Sequence, residues 1–144
     1  MSDLQIRAAT HADVQAVLTF WKESAEGTSV SDDVDDVDGV TRLVERDPGA
    51  LLLALVDGVV VGSVIAGWDG WRASLYRLAV LPSHRRRGIS SALLRTAEER
   101  FLALGGRRVD AMVLEANATG RALWEAAGYR REDHWRRWVK PLAR

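Results

Sequence analysis

The stretch LYRLAVLPSHRRRGISSALL, residues 75 to 94, joins an apolar run to an amphipathic one through a turn with three arginines. The residues before Pro82 are typical of a strand, and those after Gly88 are typical of the first turns of a helix. The beginning of a helix carries about half a positive charge and up to four N–H groups without an intrahelical partner. Glycine and serine leave those N–H groups accessible, so the turn is a candidate phosphate site.

Three interpretations of this turn compete: a solvated basic turn, a nucleic-acid contact, or a phosphate site at the start of a helix. An arginine triplet alone is more often a solvated turn. The strand before it, the glycine at its end and the helix after it favour the phosphate site. The sequence lacks the patterns of phosphate-loop ATPases and of dinucleotide-binding folds, since these need Gly-Lys-Ser/Thr or three spaced glycines.

The composition limits the kind of protein. The 144 residues are about the size of one domain, and 47% hydrophobic and 28% charged residues are typical of a globular chain. The absence of cysteine excludes disulfides, thiolate nucleophiles and zinc–thiolate sites, and three histidines leave little for a metal site. Because the apolar runs are far shorter than the roughly 20 residues of a membrane helix and the first residues lack a signal-peptide core, we expect a cytoplasmic protein and no membrane partner.

The charge is balanced in total but unevenly placed. The formal net charge is zero, which argues against a general polyanion binder with a basic surface. Residues 29 to 39, SVSDDVDDVDG, are acidic, whereas residues 84 to 88 and the aromatic-rich end of the chain are basic. We therefore expect an anionic ligand to bind the second half of the chain.

Hydrophobic periodicity predicts a single α+β domain over residues 1–144, without repeats or linkers, in the order β-α-α-β-β-β-α-β-α-β. Predicted strands cover residues 4–8, 51–56, 59–68, 73–80, 108–114 and 129–139. Predicted helices cover residues 10–24, 37–46, 89–104 and 120–127. An approximate capping box opens the first helix at Thr10, and Asp57-Gly58 predicts a tight hairpin. The apolar face of the third helix is predicted to be Ile89, Leu93, Ala97, Phe101 and Leu104, and Gly105-Gly106 to end that helix.

The opening stretch resembles the central motif of the GNAT superfamily of acetyl-CoA-dependent N-acetyltransferases, Arg/Gln-x-x-Gly-x-Gly/Ala after a strand that ends in Leu-x-Val-x-Pro. Residues 85–90 fill the motif in order, with Ser90 in place of the last small residue. NATGRALWEAAGY, residues 117 to 129, is similar to the second family motif, Asn-x-x-Ala-x-x-Leu-Tyr-x-x-x-Gly-Phe, although Gly120 and Trp124 depart from it. The resemblance implies a GNAT-like fold, with a mixed, mostly antiparallel central sheet flanked by helices.

The resemblance also implies where acetyl-CoA binds. The backbone N–H groups from Arg86 to Ser91 would hold the pyrophosphate, the strand Leu78–Val80 would pair with the pantetheine arm, and Asn117 would hydrogen-bond that arm from the other side. A helix cap is an equally good interpretation of Asn117. The implied cofactor-binding residues are Leu78, Ala79, Val80, Arg85, Arg86, Arg87, Gly88, Ile89, Ser90, Ser91, Asn117 and Trp124, and no metal is implied.

Acetyl transfer requires an unprotonated amine, and a lysine-like amine has a pKa of about 10.4, so a base or a water chain must remove its proton. Many GNAT enzymes carry a glutamate where this chain has Tyr76, so the usual base is missing. Glu115 and Asp69 are the remaining carboxylates expected near the cleft, and each is more often a plain surface acid. A main-chain N–H near Leu78 to Val80 would serve the developing oxyanion.

Trp124 stands where many GNAT enzymes carry a tyrosine that hydrogen-bonds the departing sulfur. An indole N–H donates a hydrogen bond but does not release its proton at neutral pH. We therefore expect Trp124 to pack against the thioester end of the cofactor. The catalytic candidates are Glu115, Tyr76 and Trp124.

The acceptor side is expected at the acidic loop and at the GWDGWR hairpin. The loop aspartates, Asp32, Asp33, Asp35, Asp36 and Asp38, could attract a cationic amine, or could simply form a solvated loop. Trp68 and Trp71 could wall the acceptor pocket or cap the core. Substrate-binding candidates are Trp68, Asp69, Trp71, Asp32 and Asp33.

The favoured function is N-acetyl transfer from acetyl-CoA to a primary amine of a small molecule, peptide or protein, by a monomer or homodimer. The first alternative is an acyl-CoA-binding module without catalysis, suggested by Tyr76 and Trp124. The second is a nucleic-acid-binding domain that uses the arginines, against which the zero net charge and the acidic loop argue.

Overall fold

The computed structural model describes residues 3–24, 35–113 and 118–142, with only the backbone of residues 118 and 119. The chain divides into two compact units, Met1–Met112 and Val113–Arg144. The strands are β1 (Leu4–Ala8), β2 (Leu51–Val56), β3 (Val59–Trp68), β4 (Ala73–Val80) and β5 (Val109–Ala111), and the helices are α1 (Val14–Glu23), α2 (Val37–Arg46), α3 (Ile89–Ala103) and α4 (Ala118–Ala126).

The five strands form one sheet in the order β1-β2-β3-β4-β5. The first three pairings are antiparallel, and β4 pairs with β5 in parallel. This confirms the prediction of a mixed, mostly antiparallel sheet. The hairpin between β2 and β3 turns at Asp57 (φ 53°) and Gly58 (φ 78°), because aspartate and glycine tolerate the positive φ that a two-residue turn requires.

Helices cover both faces of the sheet in the first unit. Val17 of α1 and Val44 of α2 belong to the same core cluster as Leu53 of β2. A Cβ on Gly62 would instead meet Leu93 and Ile89 of α3. Neighbouring residues of a strand face opposite sides, so β2 and β3 contribute to both layers.

Helix α3 confirms most of the predicted apolar face. Ile89, Leu93, Ala97 and Phe101 are buried, but the structure shows that the assignment of Leu104 to this face is wrong. The helix ends at Ala103, and Leu104 turns outward as its C-cap. The next residue, Gly105, has a φ of 94°, and Gly106 N–H donates to Phe101 O at 2.8 Å. The glycine pair thus ends the helix in a Schellman motif.

The second unit contains α4 and the segment that follows it. Gly128, with a φ of 95°, ends the helix as expected. The prediction of a strand over residues 129–139 is wrong, since the structure assigns no strand to this segment. Its side chains bury little apolar surface: Trp138 is 93% exposed, and Arg131 and Arg136 both bind Asp133 across a local turn. The predicted strand at residues 108–114 is shorter, because the structure gives Val109–Ala111 and does not describe Leu114.

None of the helices in the described ranges combines the length and the apolar character that a bilayer crossing requires.

The capping box before α1 is reinforced by an arginine from β1. The Thr10 N–H and hydroxyl both donate to the Asp13 carboxylate, at 2.8 Å and 3.1 Å. Arg7 donates to both oxygens of the same carboxylate, at 2.7 Å and 3.0 Å. The Arg7 guanidinium is the main cause that lowers the pKa of Asp13 from 3.8 to about 2, with the Thr10 hydrogen bonds acting in the same direction.

This geometry predicts that Asp13 stabilises the fold above its ordinary pKa and loses that effect as the pH falls towards 2, since the folded pKa is the lower one. Asp13→Asn should lower the unfolding free energy by about 1 kcal/mol at pH 7 and by much less at pH 2. Urea unfolding of both proteins across this pH range measures the difference. An effect of Asp13→Asn that is independent of pH would contradict the assignment.

Candidate functional site

The turn between β4 and α3 places a run of backbone N–H groups at the start of a helix. Pro82–His84 forms a short 3-10 turn, Arg86 adopts a left-handed φ of 63°, and Gly88 adopts one of 77°. Left-handed residues on either side of Arg87 fold the backbone into a concave arrangement of the kind that binds anions. The Arg85 guanidinium donates to Val80 O at 3.3 Å and thereby ties the turn to the end of β4.

The first intrahelical bond of α3 runs from Ala92 N–H to Gly88 O at 3.0 Å. The N–H groups of Ile89, Ser90 and Ser91 therefore precede the hydrogen-bonded ladder and lie at the positive end of the helix dipole. Among the described residues, nothing lies within 4 Å of the position that a Cβ on Gly88 would take. The helix start is open to an anion, as the sequence predicted.

Two backbone N–H groups near the end of β4 point away from β3. Leu81 N–H donates to Val61 O at 2.9 Å, and Ala79 pairs with Ser63. Because successive N–H groups of a strand point to opposite edges, those of Leu78 and Val80 face the edge where β5 lies.

On that edge, β5 pairs with β4 from Ala73 to Leu75 only, and Met112 N–H adds a bond to Leu75 O at 3.3 Å. In the part of the chain that the structure describes, β4 has no strand partner on this edge beyond Leu75. The arrangement suits a ligand that pairs with the main chain of Leu78 to Val80.

The strand β4 carries a bulge at Arg77. The register pairs Ile65 with Tyr76 and Ser63 with Ala79, so Val64 alone stands opposite two residues of β4. Arg77 has a φ of 56°, which is uncommon for a residue with a side chain. Bulges increase the local twist of a strand and redirect its peptide groups. The bulge at Arg77 therefore alters the backbone directly before the candidate site at Leu78 to Val80.

Four side chains surround this bulge. The buried Ser63 hydroxyl donates to Arg77 O at 2.8 Å and accepts from Trp21 Nε1 at 3.0 Å. The Arg77 guanidinium binds Asp35 and lies 5.2 Å from the centroid of the Trp21 ring. These contacts were not foreseen from the sequence, although a lone serine inside the apolar run of β3 was a usable signal.

The structure gives two of the described aspartates of the acidic segment a partner. Asp35 pairs with Arg77, and Asp36 caps α2 by accepting from Gly39 N–H at 2.7 Å. The Asp35 side chain is therefore largely shielded from water, whereas Asp36 caps the helix at an exposed position. Asp38 lies exposed in the first turn of α2. Asp32 and Asp33 lie outside the described residues.

The hairpin between β3 and β4 holds three of the predicted acceptor-side residues. Trp68 is half-buried, whereas Trp71 is 78% exposed and lies under the Arg72 guanidinium. The Asp69 carboxylate accepts from the N–H groups of Arg72 and Trp71, at 2.6 Å and 2.8 Å, and these bonds lower its pKa. Asp69 thus closes the turn as an ionised acceptor and is a weak base.

An open cleft of about 180 Å³ lies between α1, α2 and β3. Trp21, Asp35, Gly39, Val40, Leu43 and Ile65 line it. Ile65 is paired with Tyr76, whose half-exposed side chain points to the same face of the sheet. The cleft therefore adjoins the position of Tyr76, and its wall includes one carboxylate.

The remaining candidates belong to the second unit. Trp124 is buried on α4, and its ring meets the Tyr129 ring edge-on with 4.9 Å between centroids. The backbone supports this contact, since Tyr129 N–H donates to Trp124 O at 3.0 Å. Glu115 and Asn117 lie outside the described residues, so their assignments stay predictions. The structure thus brings together residues 78–80 and 85–91 within one unit.

Comparison with known proteins identifies the family. The model of the acetyltransferase (GNAT) family matches residues 14–129. An acetyltransferase of Pectobacterium atrosepticum is 35% identical over 130 residues, which cover 90% of this chain and 90% of that protein.

Solved structures share the fold at lower sequence identity. The PaiA N-acetyltransferase of Thermoplasma acidophilum, solved with coenzyme A, superposes with a TM-score of 0.80 at 19% identity, over 91% of this chain and 92% of that one. The diaminobutyrate acetyltransferase of Paenibacillus lautus, solved with coenzyme A and L-2,4-diaminobutyric acid, gives a TM-score of 0.73 at 19% identity, over 88% of this chain and 75% of that one. The fold is GNAT-like, and with the family match this shows that the chain belongs to the acetyltransferase (GNAT) family.

Proposed function

We propose that this chain transfers the acetyl group of acetyl-CoA to a primary amine of a small molecule or of a peptide, by direct attack of the amine on the thioester. The observation that carries the proposal is the turn between β4 and α3, where the N–H groups at the start of a helix follow a strand whose last N–H groups face the edge away from β3. No single side chain is required for this binding, because the main chain supplies the donors.

The backbone N–H groups from Arg86 to Ser91 would hold the pyrophosphate. Two left-handed residues shape this segment, and the open space at Gly88 lets a phosphate approach the main chain. Leu78 to Val80 would pair with the amide groups of the pantetheine arm. Asn117 would add a hydrogen bond to that arm.

The Leu78 N–H is the donor that we assign to the thioester carbonyl oxygen as negative charge develops on it. It faces the β5 edge of β4, and its peptide plane is fixed on the other side by a hydrogen bond from the buried Ser63 hydroxyl. A preorganised amide can stabilise such charge without rearrangement.

Few residues are candidates for the base that removes the proton of the amine. Tyr76 stands at the usual position of the base, and Asp69 is occupied by its own turn. We propose that a water chain, or Glu115, takes the proton of the amine, with Tyr76 as a hydrogen-bonding side chain of the acceptor site. The enzyme would then be slow at neutral pH, since few amines are unprotonated there.

For the acceptor, we propose a small or flexible primary amine that enters from the face covered by α1 and α2. The cleft beside Tyr76 is small and mostly apolar, with Asp35 in its wall. The diaminobutyrate acetyltransferase of Paenibacillus lautus, which shares the fold, was solved with its substrate L-2,4-diaminobutyric acid. Trp68 and Trp71 would form the outer rim, and Asp32 and Asp33 would attract a cation by their field.

We further propose that the whole chain works as one functional domain, in the cytoplasm, as a monomer or homodimer. The family match begins in the first compact unit and extends into the second, which supports a shared function.

A panel of amines, amino acids and N-terminal peptides, measured by thiol release from acetyl-CoA, tests the proposal directly. Binding of acetyl-CoA without turnover on any amine would favour a non-catalytic acyl-CoA-binding module. Retention of DNA or RNA that weakens with salt would favour the nucleic-acid alternative.

Acetyl-CoA at about 100 times its Kd should stabilise the fold by roughly 2.7 kcal/mol. Gly88→Val should remove this stabilisation, because the side chain occupies the path of the phosphate. The substitution also strains the fold, since Gly88 has a φ of 77°. Thermal unfolding with and without acetyl-CoA measures the effect.

Gly105→Val is the matched control. Gly105 also has a positive φ and open space around its Cβ position, but it lies at the other end of α3, about 25 Å away along the helix. This variant should lose stability and keep the shift with acetyl-CoA. Equal stabilisation of both variants would mean that the phosphates bind elsewhere.

The combined variant Asp32→Asn and Asp33→Asn should raise KM for a cationic amine several-fold at low salt and flatten its salt dependence, with acetyl-CoA affinity unchanged. Steady-state kinetics at two ionic strengths measure it. The combined variant Asp57→Asn and Glu99→Gln removes the same charge from other exposed positions and should leave KM unchanged. If both pairs behave alike, the acidic segment has no specific role at the acceptor.

Trp124→Tyr should keep acetyl-CoA affinity and hold or raise kcat, because a phenol can donate to the departing sulfur and give up a proton. Trp124→Phe should match the original chain in kcat, since the indole does not act as an acid. Trp124→Ala should weaken binding, and it should cost about 3–5 kcal/mol of stability through lost packing. Loss of turnover in Trp124→Tyr with intact acetyl-CoA affinity would show that the indole has a specific catalytic role.

A further inference from the structure

The peptide group between Arg77 and Leu78 connects two parts of the first unit. Its carbonyl accepts a hydrogen bond of 2.8 Å from the Ser63 hydroxyl on β3. A trans peptide is planar, and its carbonyl and N–H point in opposite directions. The direction of the Leu78 N–H, on the far edge of β4, is therefore set by what the Arg77 carbonyl binds.

The Ser63 hydroxyl is held in one orientation by a second contact. Trp21 Nε1 donates to Ser63 Oγ at 3.0 Å, so the hydroxyl hydrogen is directed to the Arg77 carbonyl. Both Trp21 and Ser63 are buried, at 2% and 0% exposure. Water therefore does not compete for this hydroxyl, and loss of either partner leaves a buried polar group unsatisfied.

The Arg77 side chain is held by contacts of its own. A residue with a side chain at φ 56° carries a backbone strain of roughly 1–2 kcal/mol. Its guanidinium forms an ion pair with Asp35 and lies against the Trp21 ring. These two contacts hold the side chain of the bulged residue in place. Trp21 thus contacts both the hydroxyl that binds the carbonyl and the guanidinium of the bulged residue.

We infer that Ser63, oriented by Trp21, is a positioning residue that aims the Leu78 N–H at the thioester carbonyl oxygen. The inference rests on the proposed function, in which Leu78 is the donor to that oxygen. Ser63 lies on β3 and acts only through the peptide of β4. A misaligned donor would weaken stabilisation of the developing charge while leaving the phosphate site at the start of α3 intact.

A merely structural role for Ser63 makes a different prediction. Breaking a buried hydrogen bond would then lower the unfolding free energy and the fraction of folded enzyme, with kcat per folded molecule unchanged. The positioning role requires a lower kcat at full folding, with the Kd of acetyl-CoA unchanged.

The experiment compares Ser63→Ala with the original chain. We expect kcat to fall roughly 10- to 100-fold, with the Kd of acetyl-CoA and the KM of the amine within about twofold. Turnover is measured as thiol release from acetyl-CoA with the primary amine of the panel that gives the highest kcat. Ser63→Thr keeps the hydroxyl and should restore most of kcat.

Val44→Ala is the matched structural control. Val44 is buried in α2, on the same face of the sheet, and its truncation should destabilise the fold by removing apolar packing alone, with every hydrogen bond around the bulge retained. We expect full kcat per folded molecule in this variant. If Ser63→Ala does not fold, Ser63→Cys replaces it, because a thiol of similar size is a weak donor and should give the same fall in kcat.

A second measurement needs no substrate. The amide resonance of Leu78 in the 15N–1H spectrum of the free protein should move in Ser63→Ala and stay in place in Val44→Ala. An unchanged Leu78 resonance, or unchanged kcat in a folded Ser63 variant that binds acetyl-CoA, would overturn the inference. Failure of the original chain to bind acetyl-CoA at all would instead overturn the proposed function.

Discussion

The candidate site depends on the peptide between Arg77 and Leu78, because its carbonyl and its N–H lie in different environments. The carbonyl is bound inside the protein by Ser63, and the N–H faces the edge of β4 beyond the reach of β5. A regular ladder would fix both atoms by strand pairing alone. Here the bulge interrupts the hydrogen-bond ladder between β3 and β4, and a side chain binds the carbonyl of the peptide instead.

The left-handed conformation of Arg77 is tolerated because contacts of comparable free energy oppose its cost. Roughly 1–2 kcal/mol of backbone strain is opposed by the two hydrogen bonds of the buried Ser63 hydroxyl, each of which contributes about 1 kcal/mol. The ion pair with Asp35 satisfies both charged groups and ties the beginning of α2 to β4. The conformation of the strand and the position of Asp35, directly before α2, are therefore coupled.

Local chemistry made much of the fold predictable. Asp57-Gly58 placed the hairpin and Gly105-Gly106 ended α3, because these turns depend on the φ of one or two residues. The start of α3 could also be predicted from neighbouring residues, since Gly88 and the two serines define it. Residues 129–139 show the limit: a segment rich in aromatic residues predicted a strand, but a strand also needs a partner and a face to bury. In the described structure, this segment has neither.

The contacts around the bulge could not be predicted in the same way, because Trp21, Ser63 and Arg77 are far apart in the sequence and meet only through the register of β3 and β4. One part of the information was nevertheless present. A serine in a run of apolar residues has to find a hydrogen-bond partner, since an unsatisfied buried hydroxyl is costly. That requirement predicts a polar contact for Ser63 but not its identity. The identity follows from the bulge, which turns the Arg77 carbonyl towards β3 and the Leu78 N–H towards the opposite edge of β4.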